Sequence, residues 1–544
     1  MTTMKLNDFP GIPALVSECI DGTCRIPFGF QTTPDIDAWK RQSRLEAERD
    51  RPRDLIVDRM IAPAGNHLTE AVKQNLEALR DPSTLTVVTG QQVGLGGGPL
   101  LTLYKALTTV ALARKMEKDS GVRTVPIFWM ATSDHNLPEA SQVYWIDLKN
   151  RLAGYKSVQQ DNRIPVGIIK LNSIADELVS DIEQDLPDSE FKKDVLDALR
   201  ESYTPDSTFA DAFRSLAYRL LGETGLVMFD PEDIEVKRAS CPFWEVALSN
   251  VDSLLDAIIT RSDEIRNADY PLQALVESGR PAIYLHEDGV RRKIVLEGKQ
   301  IRARSDIILA RDVLQRIARE NPESLSAGVT IRPMLQGWLL PTAAYVAGPH
   351  EMAYWAQLNT AFDILNIPKP AVVPRASITL IENKIRRGLE KFDLQPADFF
   401  GDIENLKERL ITDHRDLKAD EVFQTVDSHL VKAEKALLDM AREPEFNGLD
   451  QPISTAFRKI NFHVEKLREK VRDRLHSQHG DTIAQIEKLS THLFPANEPQ
   501  ERVITPIYFF VRYGTKLLRG LSAHILDAVG RHAFLDLEEM IDES

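Results

Sequence analysis

LTVVTGQQVGLGGGPLLTLYKA, residues Leu85–Ala106, decides the fold. The β-favouring run Leu85-Thr86-Val87-Val88 leads into Thr89-Gly90-Gln91-Gln92. A glycine-dense turn (Gly94, Gly96, Gly97, Gly98) follows, then Pro99 and an apolar helical pattern. Strand, tight loop and helix start are the expected reading. Pro99 suits the first helical position, where its missing N–H costs nothing. The glycines admit a ligand close to the backbone, so the loop is either an anion site at a helix N-terminus or a turn packed closely beneath a helix.

Outward from this stretch the α/β pattern continues. Leu68, Val72, Leu76 and Leu79 form one helical stripe ahead of the strand, and Leu100, Leu103, Leu107 and Val110 form another after the loop. Val125–Ala131 is apolar almost without interruption, as in a strand covered on both faces. Residues 85 to 131 therefore form one βαβ unit with a right-handed crossover. Gly225–Pro231, Ala343–Ala347 and Ala371–Val373 read as further strands, and the Asp-Gly pair in Glu287-Asp288-Gly289 reads as a hairpin turn.

Beyond about Ile378 the period changes. Phe423, Val426, Leu430, Ala433, Leu437 and Met440 make a heptad seam, and Phe457, Ile460, Val464, Leu467 and Val471 make a second, with a Pro- and Gly-containing break at 444–452. Two helices folded back on each other are expected. The aromatic segment Arg502–Tyr513 is expected to dock on the main body. The division is a helical lead-in at 1–80, an α/β core at 81–378 with insertions at about 150–225 and 235–325, a coiled coil at 379–498, and a returning segment at 499–544.

Composition narrows the function. The 544 residues carry 43% hydrophobic and 27% charged side chains, with no run near the ~18–20 apolar residues of a membrane span. The N-terminus lacks a basic flank and apolar core, so a cytoplasmic chain is expected. A formal charge of −15 argues against a nucleic-acid surface. A small anionic ligand would need a local basic pocket. Cys19, Cys24 and Cys241 are expected to be reduced thiols, and no ligand set suggests a metal.

Ligands of open parallel sheets bind outside the strands' carboxyl ends. Thr89–Pro99, Ser133–Asn136, Gly348–Glu351 and Pro374-Arg375 all fall there. The glycine loop matches neither the Walker A pattern nor the dinucleotide fingerprint, so no phosphate-binding motif identifies a cofactor, although an adenine nucleotide is compatible. Lys105 either reaches back to the loop or stays exposed on its helix. Asp134 and His135 are the acid–base candidates, with Asp134 otherwise a helix cap. His350 and Glu351 pose the same choice, since Glu351 also suits a helix start. Arg332 and Arg375 offer forked donors for a carboxylate or phosphate, or form structural ion pairs. Eight of the twelve histidines, from His414 onward, read as surface.

The blocks TGQQ-x-GL-x-G-x-PL-x-T-x-x-KA (Thr89–Ala106), Val125–Trp129 with Asp134-His135, Arg332-Pro333, Pro341-Thr342, Ala347-Gly348-Pro349, Glu351-x-x-Tyr354-Trp355, Val373-Pro374-Arg375, Pro506-x-Tyr508-Phe509 and Tyr513-Gly514 resemble motifs of the bacillithiol synthase family, the cysteine-adding enzymes. The resemblance implies a Rossmann-like core of the nucleotidyltransferase and class I synthetase type with connecting insertions. It also implies a helical coiled coil that helps form a homodimer. The implied reaction is cytoplasmic: an amide joins cysteine to the amino group of glucosaminyl-malate. Within it, Asp134 and His135 deprotonate or orient the amine. Thr89, Gly90, Gln91, Gln92, Gly94, Gly97, Gly348, His350 and Glu351 contact substrate, while Lys105 and Arg375 neutralise the malate carboxylates. The chain departs from the family pattern at Ser133 and Asn136, where carboxylates are expected, at Tyr104 for a His, and at His350 for a Gly. A nucleotidyltransferase acting on a sugar or acid, or a ligand-binding coiled-coil dimer without catalysis, are the other readings.

Overall fold

The computed structural model describes residues 1–157, 164–287, 290–298, 300–302, 308–413, 419–478 and 480–542. These fall into two compact units, one of residues 1–382 with 498–544 and one of residues 383–497.

The first unit is built on five parallel strands: β1 (Leu85–Gln91), β2 (Thr124–Met130), β3 (Val227–Phe229), β4 (Thr342–Ala347) and β5 (Ala371–Pro374). Their spatial order is β5-β4-β1-β2-β3, the doubly wound order, with its switch point between β1 and β4. Side chains of β2 and β4 are buried throughout, which explains their unbroken apolar sequence. β1 extends to Gln91, past the expected loop start, because Gly90 and Gln91 still pair with Trp129 and Met130.

The crossover helix α1 (Leu100–Ser120) lies on the sheet and ends at Gly121 in the left-handed conformation (φ 74°). Pro99 precedes the helix as its N-cap with ψ 168°, one position earlier than expected. Two short helices frame β4: α2 (Arg332–Leu339) before it and α3 (Pro349–Trp355) after it. The N-terminal helix Ile36–Ala47 covers the opposite sheet end. There Trp39 Nε1 donates to Thr124 Oγ1 at 3.2 Å and Gln42 Nε2 to the Thr342 carbonyl at 2.9 Å.

A second sheet joins the chain's extremities. Thr2–Lys5 runs antiparallel to Arg531–Asp536, which runs parallel to Ser377–Ile381. His532 lies in this sheet fully buried, and His492 of the other unit is buried too, against the surface reading of the C-terminal histidines. Hydroxyl partners make His532 tolerable inside: Ser377 Oγ at 2.8 Å and Thr379 Oγ1 at 3.0 Å, with Phe9 stacked at 3.7 Å.

The reduced-thiol expectation fails for one pair. Cys19 and Cys24 are joined as a disulfide, with Cα atoms 4.7 Å apart, while Cys241 is free. Helix Ala14–Ile20 ends beside Cys19 and Gly22, at φ 73°, turns the chain back. That geometry brings the thiols within bonding reach; a reading from compartment alone had no access to it. The expected hairpin is present, since Ile283–Glu287 pairs antiparallel with Val290–Lys293. Its turn residues Asp288 and Gly289 lie outside the described residues.

The second unit is helical. Its longest members, α4 (Ala419–Met440) and α5 (Asp450–Gln478), pack antiparallel, fixed by Arg468, which pairs with Asp427 at 2.8 Å and lies 5.0 Å over the Phe423 ring. The seams are only partly as expected. Phe423 and Phe457 are buried, but Leu437, Ile460 and Leu467 stay exposed, Leu467 at 55%. On α4 the covered stripe runs Phe423, Val426, Leu430, then Leu438 and Ala441. A straight helix drifts off a strict heptad, and two helices alone cover one flank of each seam.

Candidate functional site

Outside the switch point, the ends of β1 and β4 open onto a cavity of about 350 Å³. Gly90, Gln91 and Gln92 form one wall. Gly348, His350 and Glu351, at the start of α3, form the other. Lys105 lies between them and is buried, contrary to the exposed-helix alternative. Its Nζ donates to the Gly90 carbonyl at 2.8 Å and to Gln91 Oε1 at 2.9 Å, and it pairs with Glu351 Oε2. Glu351 also accepts from Gly348 N–H at 2.7 Å and from the Tyr345 hydroxyl at 2.9 Å. It therefore caps α3 and serves the cavity together. Burial pulls the Lys105 ammonium below its ordinary range, with Glu351 opposing. Burial works to raise Glu351, but Lys105 and the Gly348 N–H outweigh it and keep the carboxyl low.

Arg332 stands on the far side of the cavity. Its guanidinium donates to Gln336 Oε1 at 3.0 Å, to the Tyr354 hydroxyl at 2.9 Å and to the Tyr345 hydroxyl at 3.3 Å. No carboxylate among the described residues forms an ion pair with it. Arg502 lines the same space. Cations thus outnumber carboxylates around this cavity, and it favours an anion.

A second cavity of about 310 Å³ opens past the ends of β2 and β3 and shares Trp129, Ala131 and Arg332 with the first. Asp134 and His135 line it. Asp134 sits at the junction: Oδ2 accepts from Gln92 Nε2 at 2.5 Å and Oδ1 from the Asn136 N–H at 3.2 Å. Asn136, not Asp134, occupies the N-cap position of the short helix Leu137–Ala140. His135 Nδ1 lies 3.9 Å from Asp134 Oδ1, too far for a hydrogen bond. The loop also brings in a residue the sequence reading passed over. Glu139 lines the first cavity and is held by Asn136 Nδ2 at 2.7 Å. Burial, then the Asp134 charge, raises its carboxyl above the ordinary range. A second carboxylate is therefore present, three residues beyond the Asn136 where the family pattern has one.

Three expected contacts lie away from the cavities. Thr89 is buried and its hydroxyl donates to the Val346 carbonyl at 2.8 Å, tying β1 to β4. Gly94 and Gly97 line neither cavity. The close-packing alternative is supported in the loop, where Leu100 N–H donates to the Ile504 carbonyl at 2.8 Å and Gly98 N–H to the Leu95 carbonyl at 2.9 Å. Arg375 lines the first cavity, but its charge is matched from behind. Nη2 and Nη1 grip Glu501 Oε1 and Oε2 at 2.6 and 3.0 Å, both side chains buried. Arg332 was legible as a forked donor. Glu139, Arg502 and Tyr345 carried no local signal, because only the fold aims them inward.

A doubly wound parallel sheet with two polar cavities meeting outside its switch point defines a Rossmann-like small-molecule enzyme. Two family models cover the chain: the bacillithiol biosynthesis BshC N-terminal Rossmann-like domain over residues 2–376 and the BshC C-terminal coiled-coil domain over residues 378–537. The chain belongs to the BshC family of bacillithiol biosynthesis. Relatives named "Putative cysteine ligase BshC" include those of Salinibacter ruber, 30% identical over 91% of this chain and 90% of the relative, and Koribacter versatilis, 33% identical over 84% of each. That of a Geobacillus species is 26% identical over 93% of this chain and 95% of its own. No helix among the described residues is long and apolar enough to cross a membrane.

Proposed function

We propose that this protein forms the amide bond between the carboxyl group of cysteine and the amino group of glucosaminyl-malate. The observation that carries the reading is the pair of adjoining cavities, one with surplus positive charge, which suits a condensation of two substrates of which one is a dicarboxylate. The malate carboxylates face Arg332 and Arg502 in the first cavity. Lys105 and Arg375, each already paired, hold the walls in place. The sugar ammonium meets Asp134, His135 and Glu139 at the junction. Asp134 and His135 orient it, and Glu139, with its raised proton affinity, takes a proton so that the free amine can attack. The new C–N bond replaces a C–O bond of the cysteine carboxyl, whose displaced oxygen leaves with an activating group; a bound nucleotide would supply one.

The test supplies purified protein with cysteine, glucosaminyl-malate and ATP and reads the product thiol by mass. Product is expected. Its absence with every phosphoryl or nucleotidyl donor removes the ligase reading. Pyrophosphate release without cysteine would instead favour a nucleotidyltransferase.

The helical unit supports a homodimer. Val431 is 65%, Phe462 59% and Leu467 55% exposed on α4 and α5, a concentration of apolar side chains that a second copy would cover.

A further inference from the structure

The second cavity holds a charge arrangement that its sequence motifs do not announce. Glu232, in the loop after β3, pairs through Oε2 with Lys237 Nζ at 2.7 Å, both side chains largely buried. Its other oxygen accepts no hydrogen bond from any described residue. Arg291, from the strand Val290–Lys293, is fixed without an ion pair among the described residues. Nε donates to Ser326 Oγ at 3.1 Å, Nη2 to the Ala327 carbonyl at 3.0 Å, and the guanidinium lies 3.8 Å over the Tyr284 ring. A rigid guanidinium held by neutral partners keeps its charge available to a ligand.

His286 does not alter this count. Burial, then Lys237 and Arg291, lowers its imidazole to about 3, so it is neutral and shares the Ser326 hydroxyl at 2.8 Å. The cavity therefore presents both signs of charge: Glu232 and Asp134 face Lys237, Arg291 and the shared Arg332, so one cation is left over for a ligand carboxylate while Glu232 keeps an oxygen free for an ammonium. A pocket that offers both an available carboxylate oxygen and an available guanidinium suits a zwitterion, whereas one with only cations to spare suits a dicarboxylate. Trp244, Val236 and Leu335 give the remaining wall an apolar character. The volume of about 310 Å³ corresponds to roughly ten waters, room for a small amino acid and its hydration but not for a polymer.

We infer that this second cavity is an α-amino-acid site, in which Glu232 takes the ammonium, Arg291 a carboxylate oxygen and the Trp244 wall a small thiol-bearing side chain. Arg332, in the shared wall, faces the other carboxylate oxygen, so the carboxyl carbon is presented to the first cavity where the sugar amine arrives. This assignment rests on the ligase reading for the choice of cysteine, and on the cavity's own charges for the zwitterion.

The test is calorimetric titration of the full-length protein under reducing conditions, with and without glucosaminyl-malate. The ligands are L-cysteine, cysteamine, which lacks the carboxylate, and 3-mercaptopropionate, which lacks the ammonium. L-cysteine is expected to bind at least tenfold tighter than either analogue. R291Q should bring cysteine and cysteamine within about threefold of each other, and E232Q should do the same for cysteine and 3-mercaptopropionate. Where E232Q fails to fold, the wild-type analogue series and R291K decide the matter. Analogues binding within twofold of L-cysteine, or no binding of L-cysteine in either condition, overturn the assignment. So do variants that raise KM for the sugar and leave KM for cysteine unchanged. Zwitterion-selective binding without any amide product would keep the site and remove the ligase reading; amide formation with unselective binding would do the reverse.

Discussion

Glu139 and Asp134 meet across Gln92 and Asn136 at the cavity junction, and under the proposed roles the pair is expected to set the pH behaviour. A proton acceptor works only when ionised, so turnover falls as pH drops through the raised pKa of Glu139. Glu139→Gln is expected to lower kcat about 100-fold and to abolish that acidic limb. Asp134→Asn should also slow turnover; burial would still raise Glu139, but the added push of the Asp134 charge is gone, so the limb should move to lower pH. A pH–rate series on the three proteins checks both statements, and an unmoved limb in Asp134→Asn would remove the coupling. His532 gives a separate residue-scale signature, in stability. Burial depresses its imidazole to about 4 despite the Glu501 charge nearby. A folded pKa below the unfolded 6.5 means that the neutral form stabilises the fold above pH 6.5. That contribution, about 3 kcal/mol, is lost as pH falls from 6.5 towards 4. Thermal midpoints of the wild type should drop across this window more steeply than those of His532→Gln.

At the scale of elements, the glycine loop shows what packing demands of sequence. Gly98 has φ 75° and ψ −168°, and a Cβ there would stand 2.9 Å from Thr102 Oγ1. Gly98→Ala should cost about 1–3 kcal/mol of backbone strain, read as a lowered thermal midpoint with the far-ultraviolet spectrum preserved. The same loop explains which features could be read from the chain. β2, β3, β4 and β5 were legible because strands buried on both faces need largely apolar runs, β1 because of its β-favouring residues, and α1 because its stripe has the helical period. The loop's destination was not legible. The Leu100 N–H is taken by the Ile504 carbonyl, about four hundred positions away, and no local pattern encodes such a partner. Of the two alternatives for Arg375 the ion pair is present, but its partner was not legible, since Glu501 lies 126 residues further on. Asp134 and His135 were legible because strand ends in a parallel sheet converge by geometry alone. Arg291 was not, because an insertion folds it over the cavity, and Glu232, although at a strand end, carried no motif to single it out.

Across the whole molecule, the buried Arg375–Glu501 pair couples the end of β5 to the returning C-terminal segment. Glu501→Gln leaves a buried guanidinium uncompensated and should cost about 3–5 kcal/mol, whereas the double variant Arg375→Met, Glu501→Leu should recover most of it. Thermal unfolding of the three proteins measures the difference, and a single variant as stable as the double would remove the pair from the fold's support. For the second unit, Leu467→Glu with Val431→Glu is expected to yield a monomer by light scattering while leaving the first unit's melting unchanged. An unaltered mass would place the dimer contact elsewhere or remove it.

Chain order gives the Arg375–Glu501 pair a temporal meaning. During synthesis all five sheet strands leave the ribosome before the helical unit, and Glu501 follows only after that unit is made. Until then the nascent sheet carries a guanidinium without its carboxylate and a glycine loop without the Ile504 carbonyl. The cavity can therefore reach its final form only late in translation, and a ribosome stalled within the helices would hold a sheet with an unfinished site.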